Sequence, residues 1–127
     1  MPEQRWLIYG ATGYTGTLIA EEAVRRGHRP VLAGRNARKL KRLADRLGLE
    51  SVPVGLDDPQ ALARAVAGIS LALHCAGPFV FTSLPMMRAC LNAGAHYLDI
   101  TGEVPVFENL YAYDSSARAK AIALIPG

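Results

Sequence analysis

The residues of this chain whose types and spacing suggest chemistry are three glycines near its start, Gly10, Gly13 and Gly16. They follow a short apolar run at 6–9 and precede apolar residues at helical spacing. A strand, a tight glycine turn and a helix start form a typical site for a dinucleotide pyrophosphate, because the free N–H groups of the first helical turn attract an anion. A glycine-rich turn without a ligand is the alternative interpretation.

Each glycine has an expected role in such a loop. Gly10 lets the chain leave the strand at dihedral angles closed to other residues, and Gly16 lets the helix lie close to the sheet. Gly13 has no β-carbon, so a phosphate can approach its backbone. The cofactor loop is therefore predicted to comprise the glycines and the residues between them, namely Gly10, Thr12, Gly13, Tyr14, Thr15 and Gly16.

The second apolar run ends in Gly34-Arg35-Asn36, where an NAD site usually places an acid for the ribose hydroxyls. A guanidinium at this position instead suits a 2′-phosphate, through charge-assisted hydrogen bonds. The sequence therefore predicts NADP(H), with NAD(H) the weaker alternative, bound by Arg35, Asn36 and Lys39. Lys41 and Arg42 are assigned to a solvent-exposed helix face.

Two further strand ends carry candidate cofactor contacts. Asp58 is expected to cap a helix that starts at Pro59, which leaves Asp57 free to accept a hydrogen bond from the adenine amino group. A structural role for Asp57 is equally consistent. After the fourth strand, Ala76 and Gly77 are small enough for the cofactor to pass close to the backbone, and Pro78 stiffens the turn.

No catalytic residue can be assigned. His74 and Cys75 are interpreted as packing residues, since neither has a catalytic neighbour in sequence. Thr101 and Glu103 fit two roles equally well, positioning a substrate or serving the start of the next helix. None of the tyrosines is followed by a lysine four residues later, so the Tyr/Lys pair of short-chain dehydrogenases is missing from this sequence.

Composition favours a globular protein of one domain. The 127 residues are 50% hydrophobic and 20% charged, and no apolar run approaches the roughly 18 to 20 residues of a membrane span. The first residues lack the apolar core of a signal peptide, and the two cysteines fit free thiols, so we expect a cytoplasmic protein. The three histidines share no ligand-like spacing with the cysteines, and we expect no metal site.

The net charge of +3 is unevenly distributed, because nine of the fourteen basic residues lie between Arg25 and Arg46. This stretch contains no aromatic residue with which a base could stack, and we therefore expect no nucleic-acid partner. A solvent-exposed helix face combined with a phosphate pocket explains the cluster better.

Short apolar runs alternate with helical patterns, which predicts an α/β fold with a doubly wound parallel six-stranded sheet in the order 3-2-1-4-5-6. Gly27, Gly48, Gly68 and Gly94 are expected to end helices, and Ser83 to cap the fourth helix. Strands are predicted at 6–10, 30–34, 52–55, 70–75, 96–100 and 121–125, and helices at 15–26, 36–47, 59–67, 83–94 and 104–119.

Four motifs at these strand ends resemble the N-terminal NADP-binding domain of saccharopine dehydrogenase-like oxidoreductases, including trans-acting enoyl reductases. They are Gly10-Ala-Thr-Gly-Tyr-Thr-Gly16, Ala33-Gly34-Arg35, Cys75-Ala76-Gly77-Pro78-Phe79 and Asp99-Ile-Thr-Gly-Glu103. The resemblance implies NADPH bound at Gly13, Tyr14, Thr15 and Arg35, with Gly77 and Pro78 lining the cofactor. It also implies a second α/β domain that closes over the cofactor and often mediates dimerisation.

We therefore expect residues 1–127 to be a dinucleotide-binding domain from the N-terminal part of a longer enzyme, with the substrate domain absent. The expected function is hydride transfer to or from a small-molecule substrate. A non-catalytic NADP-sensing module is the alternative, because such modules also lack the Tyr/Lys pair.

Overall fold

The computed structural model describes residues 4–127 as one parallel sheet with helices on both faces. The strand order is β3-β2-β1-β4-β5-β6, and every neighbouring pair is parallel, which confirms the predicted doubly wound fold. The strands are β1 (Trp6–Tyr9), β2 (Val31–Gly34), β3 (Ser51–Pro53), β4 (Leu71–His74), β5 (His96–Asp99) and β6 (Leu124–Ile125).

Six helices connect or follow these strands within residues 4–127, one more than the sequence pattern predicts. They are α1 (Tyr14–Arg25), α2 (Ala37–Leu47), α3 (Pro59–Val66), α4 (Phe79–Ala93), α5 (Val104–Tyr111) and α6 (Asp114–Lys120).

Two cores lie on opposite faces of the sheet, because successive strand residues point to opposite sides. Leu7 and Tyr9 of β1 belong to the larger core, which also includes residues of α3, α4 and α5. Ile8 belongs to the smaller core, with residues of α1 and α2. None of the helices described in residues 4–127 is both long and apolar enough to cross a bilayer.

The predicted helix ends are largely confirmed. Gly48 and Gly94 are the left-handed caps of α2 and α4. Gly27 and Gly68 also have positive φ, each one residue beyond the cap position of its helix. The side chain of Asp58 accepts a hydrogen bond from the N–H of Ala61 at 3.0 Å, so it caps α3 as expected.

The predicted start of the fourth helix is wrong. α4 begins at Phe79, four residues before the expected cap Ser83, which is fully buried inside the helix and has no hydrogen-bond partner among the described residues. The residue at the cap position is Pro78, and the N–H of Val80 is bonded instead by the carboxylate of Glu103. A cap supplied from a distant loop leaves no local pattern in the sequence.

The helix predicted at 104–119 is two helices, because the chain turns at Ala112 and Tyr113. Tyr113 packs against the larger core, and its hydroxyl oxygen accepts a hydrogen bond from Arg88 of α4 at 3.1 Å. The strand predicted at 121–125 is shorter, since Ala121 takes a left-handed conformation at the end of α6 and pairing covers only Leu124–Ile125.

Candidate cofactor-binding site

A groove of about 550 Å³ lies where the carboxyl ends of β1, β2 and β4 meet. This is the crevice in which ligands bind to a doubly wound sheet, beside the point where the strand order reverses. The groove is lined by ten residues from the three strand ends: Tyr9, Gly10, Thr12, Gly13, Gly34, Arg35, Asn36, Cys75, Ala76 and Gly77.

A larger depression, of about 840 Å³, lies at the opposite edge of the sheet, around Trp6, His28 and Glu50. It faces the amino ends of the strands and contains neither the glycine turn nor the start of α1. The smaller groove at the carboxyl edge is therefore the candidate site, because helix starts and free N–H groups face that edge.

Two of the three loop glycines are required by the fold itself. Gly10 has φ +79°, and a β-carbon there would lie 2.8 Å from the backbone nitrogen of Ala76. A β-carbon on Gly16 would lie 2.2 Å from the carbonyl oxygen of Gly10. The turn between β1 and α1 is thus packed against itself and against the loop after β4, too tightly for any larger residue.

Gly13 differs from its neighbours. Its backbone is extended, with φ −73° and ψ 172°, and a β-carbon there would make only an ordinary contact of 3.4 Å, with the oxygen of Gly10. Gly13 precedes α1, and none of the described side chains caps that helix. The fold does not need a glycine at this position, and the space beside it lies over uncapped N–H groups. These features fit an anionic group held on the turn.

The end of β2 places a cation beside the groove. Arg35 is exposed and lines the groove together with Asn36. The side-chain oxygen of Asn36 accepts a hydrogen bond from the N–H of Lys39 at 3.0 Å and so caps α2. Burial raises the pKa of the Tyr9 hydroxyl. The charge of Arg35 opposes this shift, and the charge of the exposed Asp57 adds to it. Tyr9 donates to the carbonyl oxygen of Val54 at 2.9 Å.

The loop after β4 carries Cys75, Ala76 and Gly77 into the groove. Burial and the nearby Asp99 raise the pKa of the Cys75 thiol to about 11, so it is protonated at neutral pH and a poor nucleophile. The hydroxyl of Thr82 donates to the carbonyl oxygen of Ala76 at 2.6 Å, which ties this loop to α4.

The end of β5 is closed by hydrogen bonds. Asp99 is buried and accepts bonds from the Tyr97 hydroxyl at 2.6 Å, the Thr101 N–H at 3.0 Å and the Gly127 N–H at 3.0 Å. Burial is the main cause that raises the pKa of Tyr97, and the hydrogen bond to Asp99 raises it further. Of the two roles open for Glu103, its bond to Val80 favours the helix start, but the helix that it serves is α4 and not its own.

The groove brings together seven of the thirteen residues predicted from sequence: Gly10, Thr12, Gly13, Arg35, Asn36, Ala76 and Gly77. Tyr14 and Thr15 are exposed at the start of α1, with Gly16 buried beneath the turn. Lys39 lies in a neighbouring groove between α1 and α2. Asp57 and Pro78 are exposed outside the groove lining. The prediction missed Tyr9, Gly34 and Cys75, whose positions at strand ends were the available signal.

Comparison with known families decides the assignment. Residues 6–125 match the family model described as the saccharopine dehydrogenase NADP binding domain. The chain belongs to this family. The resemblance inferred from the four motifs is therefore confirmed, and the cofactor of this NADP-binding domain is NADP(H).

Two kinds of relative share the sequence of the NADP-binding domain. A saccharopine dehydrogenase-like oxidoreductase of Bos taurus is 30% identical over 94% of this chain and 32% of its own length. A trans-acting enoyl reductase of Mycobacterium tuberculosis is 36% identical over 88% of this chain and 30% of its own length. The chain thus spans about a third of the length of the curated relatives that it matches.

Solved structures show the same fold at lower identity. Saccharopine dehydrogenase from Saccharomyces cerevisiae superposes with a TM-score of 0.82 at 13% identity, over 98% of this chain and 27% of that one. The NADP(H) complex of a triphenylmethane reductase from Citrobacter sp. superposes with a TM-score of 0.73 at 23% identity, over 94% of this chain and 48% of that one.

Proposed function

We propose that this NADP-binding domain holds its cofactor in the groove at the carboxyl ends of β1, β2 and β4, with the pyrophosphate on the turn from Gly10 to Gly16. The observation that carries the proposal is Gly13, a glycine that neither its dihedral angles nor its neighbours require. Thr12, Tyr14 and Thr15 complete the loop around the phosphates. The uncapped N–H groups at the start of α1 supply the hydrogen bonds and the favourable dipole.

The adenosine end of the cofactor is assigned to the end of β2. Arg35 reaches the 2′-phosphate with its guanidinium, and Lys39 adds a second charge from the first turn of α2. Asn36 contributes through its amide nitrogen, because its oxygen is already bonded to Lys39. Asp57 accepts from the adenine amino group.

The nicotinamide half is assigned to the loop after β4, where Ala76, Gly77 and Pro78 let the ring approach the backbone. Bound NADPH supplies a hydride; the domain binds the cofactor, orients it and shields one side from water. Among the described groove-lining residues, Tyr9 and Cys75 carry ionisable groups with raised pKa values, so neither acts as a base near neutral pH. We propose that the acid and base for the reaction come from the substrate-binding domain.

At the level of the whole protein, we propose an NADP(H)-dependent oxidoreductase that acts on a small molecule through a further, substrate-binding domain. Support comes from the oxidoreductase names of both sequence relatives and from the share of their length that this chain spans. A non-catalytic NADP sensor is less favoured, because neither relative is described as one.

The direct test is calorimetric titration of the chain with NADPH and NADH side by side, followed by an activity screen of the same sample. We expect tight binding of NADPH, weaker binding of NADH and negligible turnover. Absence of binding at saturating NADPH would overturn the site, and robust reduction of a substrate by residues 1–127 would overturn the need for a second domain.

We also propose that the protein forms a homodimer. The support is that large apolar side chains outside the cofactor loop remain exposed, among them Phe81 (77%) and Val104 (65%). Exposed apolar side chains mark interaction sites where they form a contiguous surface. Sedimentation velocity over a range of protein concentrations tests this, and a species of monomer mass at all concentrations would contradict it.

A cytoplasmic location is proposed from the thiols. Cys75 and Cys90 are both free, and burial raises the pKa of Cys90 to about 12, which keeps that thiol protonated and slow to oxidise. Fractionation of the source cells tests the location.

A further inference from the structure

Ion pairing divides the basic stretch between Arg25 and Arg46 into two groups. Five of its nine cations are engaged in the described part of the chain: Arg25 and Arg26 bind Glu22, Arg46 binds Glu21, Lys41 binds Asp45, and Arg29 donates to the carbonyl of Gly48. The other four have no acidic partner among residues 4–127, and all of them lie at the end of β2 or in the first half of α2: Arg35, Arg38, Lys39 and Arg42.

Two of these unpaired cations, Lys39 and Arg42, line a shallow groove of about 610 Å³ between α1 and α2. Thr12 lies in the wall of this groove and also in the wall of the cofactor groove, so the two depressions meet at that residue. The remaining wall is formed by Thr17, Leu43 and Arg46.

Lys39 and Arg42 lie on the same face of α2. Residues three and seven positions apart share a helix face, which places Lys39, Arg42 and Arg46 on one side. Arg46 is held at the far end of the groove by Glu21, at 3.1 Å. The cations without a counter-ion on this face are therefore Lys39 and Arg42, which line the same groove as Thr12.

We propose that Arg42 adds to the preference of this domain for NADP(H) over NAD(H), by forming with Lys39 the outer wall of a phosphate-monoester site that opens at Thr12. This inference rests on the proposed function and extends its 2′-phosphate site beyond Arg35. It also reassigns Arg42, which the sequence pattern places on a solvent-exposed face.

The charge of a phosphate monoester favours its recognition by cations from both β2 and α2. A phosphate monoester carries about 1.5 to 2 negative charges at neutral pH, which one guanidinium does not neutralise. Arg35 approaches from the end of β2, whereas Lys39 and Arg42 approach from α2. Asn36 already bonds the N–H of Lys39 in the first turn of α2, and the side chains of Lys39 and Arg42 add two charged donors on this side.

The test compares Arg42→Gln with Lys41→Gln, a matched control on the same helix whose lysine is paired with Asp45 at 3.2 Å on another face. Both residues are exposed, so neither substitution should disturb folding, and an unchanged melting temperature checks this. Each protein is titrated with NADPH, NADH, 2′,5′-ADP and 5′-AMP. We expect Arg42→Gln to weaken NADPH and 2′,5′-ADP about tenfold, with NADH and 5′-AMP unchanged. Lys41→Gln should leave all four affinities unchanged.

A further titration, with inorganic phosphate, distinguishes the 2′-phosphate of the cofactor from free phosphate as the group that binds at Arg42. If inorganic phosphate binds in a manner that depends on Arg42 while 2′,5′-ADP binds Arg42→Gln as well as the unsubstituted chain, the proposal is overturned. Equal effects of the two glutamine variants on NADPH would also overturn it. Equal affinity of the unsubstituted chain for NADPH and NADH would instead refute the proposed function itself.

Discussion

The carboxylate of Glu103 accepts a hydrogen bond from the backbone N–H of Val80 at 2.9 Å, which joins the residue before α5 to the first turn of α4. Glu103 is itself held in place, because its own N–H donates to the hydroxyl oxygen of Thr101 at 3.0 Å. The N–H of Thr101 in turn donates to the buried Asp99. A continuous series of bonds thus runs from the end of β5 to the first turn of α4, the helix that follows the groove-lining loop.

Replacing Glu103 tests whether this connection positions the loop. Glu103→Ala removes an N-terminal cap of α4 and should lower the free energy of unfolding by about 1 kcal/mol, while weakening NADPH binding several-fold. Glu103→Gln keeps an oxygen acceptor and should restore most of both quantities, less the charge–dipole contribution. Urea denaturation and calorimetric titration measure them. Glu108→Ala, on the exposed side of α5, is the matched control. If Glu103→Gln behaved like Glu103→Ala, the hydrogen bond would not be the stabilising element.

Arg35→Ala should discriminate between the two nicotinamide cofactors. The lost charge-assisted hydrogen bonds to the 2′-phosphate are expected to weaken NADPH about 10- to 100-fold, whereas NADH, which has no such group, should be nearly unaffected. Parallel titrations of both cofactors measure the ratio. Equal losses for NADPH and NADH would remove Arg35 from the 2′-phosphate site.

Gly13 and Gly16 should respond differently to a single added methyl group. Gly13→Ala is compatible with the observed dihedral angles and contacts, so stability should be retained while NADPH binding falls at least tenfold, because the β-carbon enters the phosphate space. Gly16→Ala places a β-carbon 2.2 Å from the oxygen of Gly10 and should destabilise the domain by about 1–3 kcal/mol. Thermal denaturation and titration of both variants separate the two effects. Unchanged NADPH affinity in a folded Gly13→Ala protein would place the pyrophosphate elsewhere.

The parts of this fold that could be predicted from sequence are those encoded locally. The glycine turn, the cap at Asp58 and the left-handed glycines each depend on residues within a few positions of one another. The start of α4 escapes such a prediction because its cap comes from Glu103, more than twenty positions later in the chain. A serine such as Ser83 satisfies the local rule for a cap, yet tertiary burial places it inside the helix.

The same distinction applies to the site. Gly10, Gly13 and Arg35 could be predicted to lie at this edge of the sheet because each stands directly after a predicted strand or in the turn that follows it. The pairing of Arg46 in α2 could not be predicted, since Glu21 belongs to α1 and only the folded chain brings the two side chains together. The sequence pattern therefore assigns Arg42 to solvent, although its neighbours leave it without a counter-ion.

His74 is the buried titratable side chain whose ring is most enclosed by aromatic neighbours. It is fully buried, with ring centroids of Tyr9, Phe79 and Tyr97 at 5.7, 5.3 and 6.1 Å. Thr82 gives its proton to the carbonyl oxygen of Ala76, so it must accept from Nε2 of His74 at 2.9 Å. Nδ1 is then an acceptor without a partner among the described residues. Burial lowers the pKa of His74 to about 4, and the negative charge of Asp99 opposes this shift.

This environment predicts a stability that depends on pH. Between about pH 6.5 and 4 the unfolded chain binds a proton at His74 that the folded chain excludes, so the free energy of unfolding should fall as the pH is lowered, by up to about 3 kcal/mol from this residue. His74→Leu removes the titrating group while Thr82 keeps its bond to Ala76. Urea denaturation at pH 7.5, 5.5 and 4.5 measures both proteins, and the difference between them isolates His74 from the carboxylates that titrate in the same range. Parallel pH profiles for the two proteins would contradict the prediction, because they would show that the folded and unfolded chains bind the His74 proton equally at each pH.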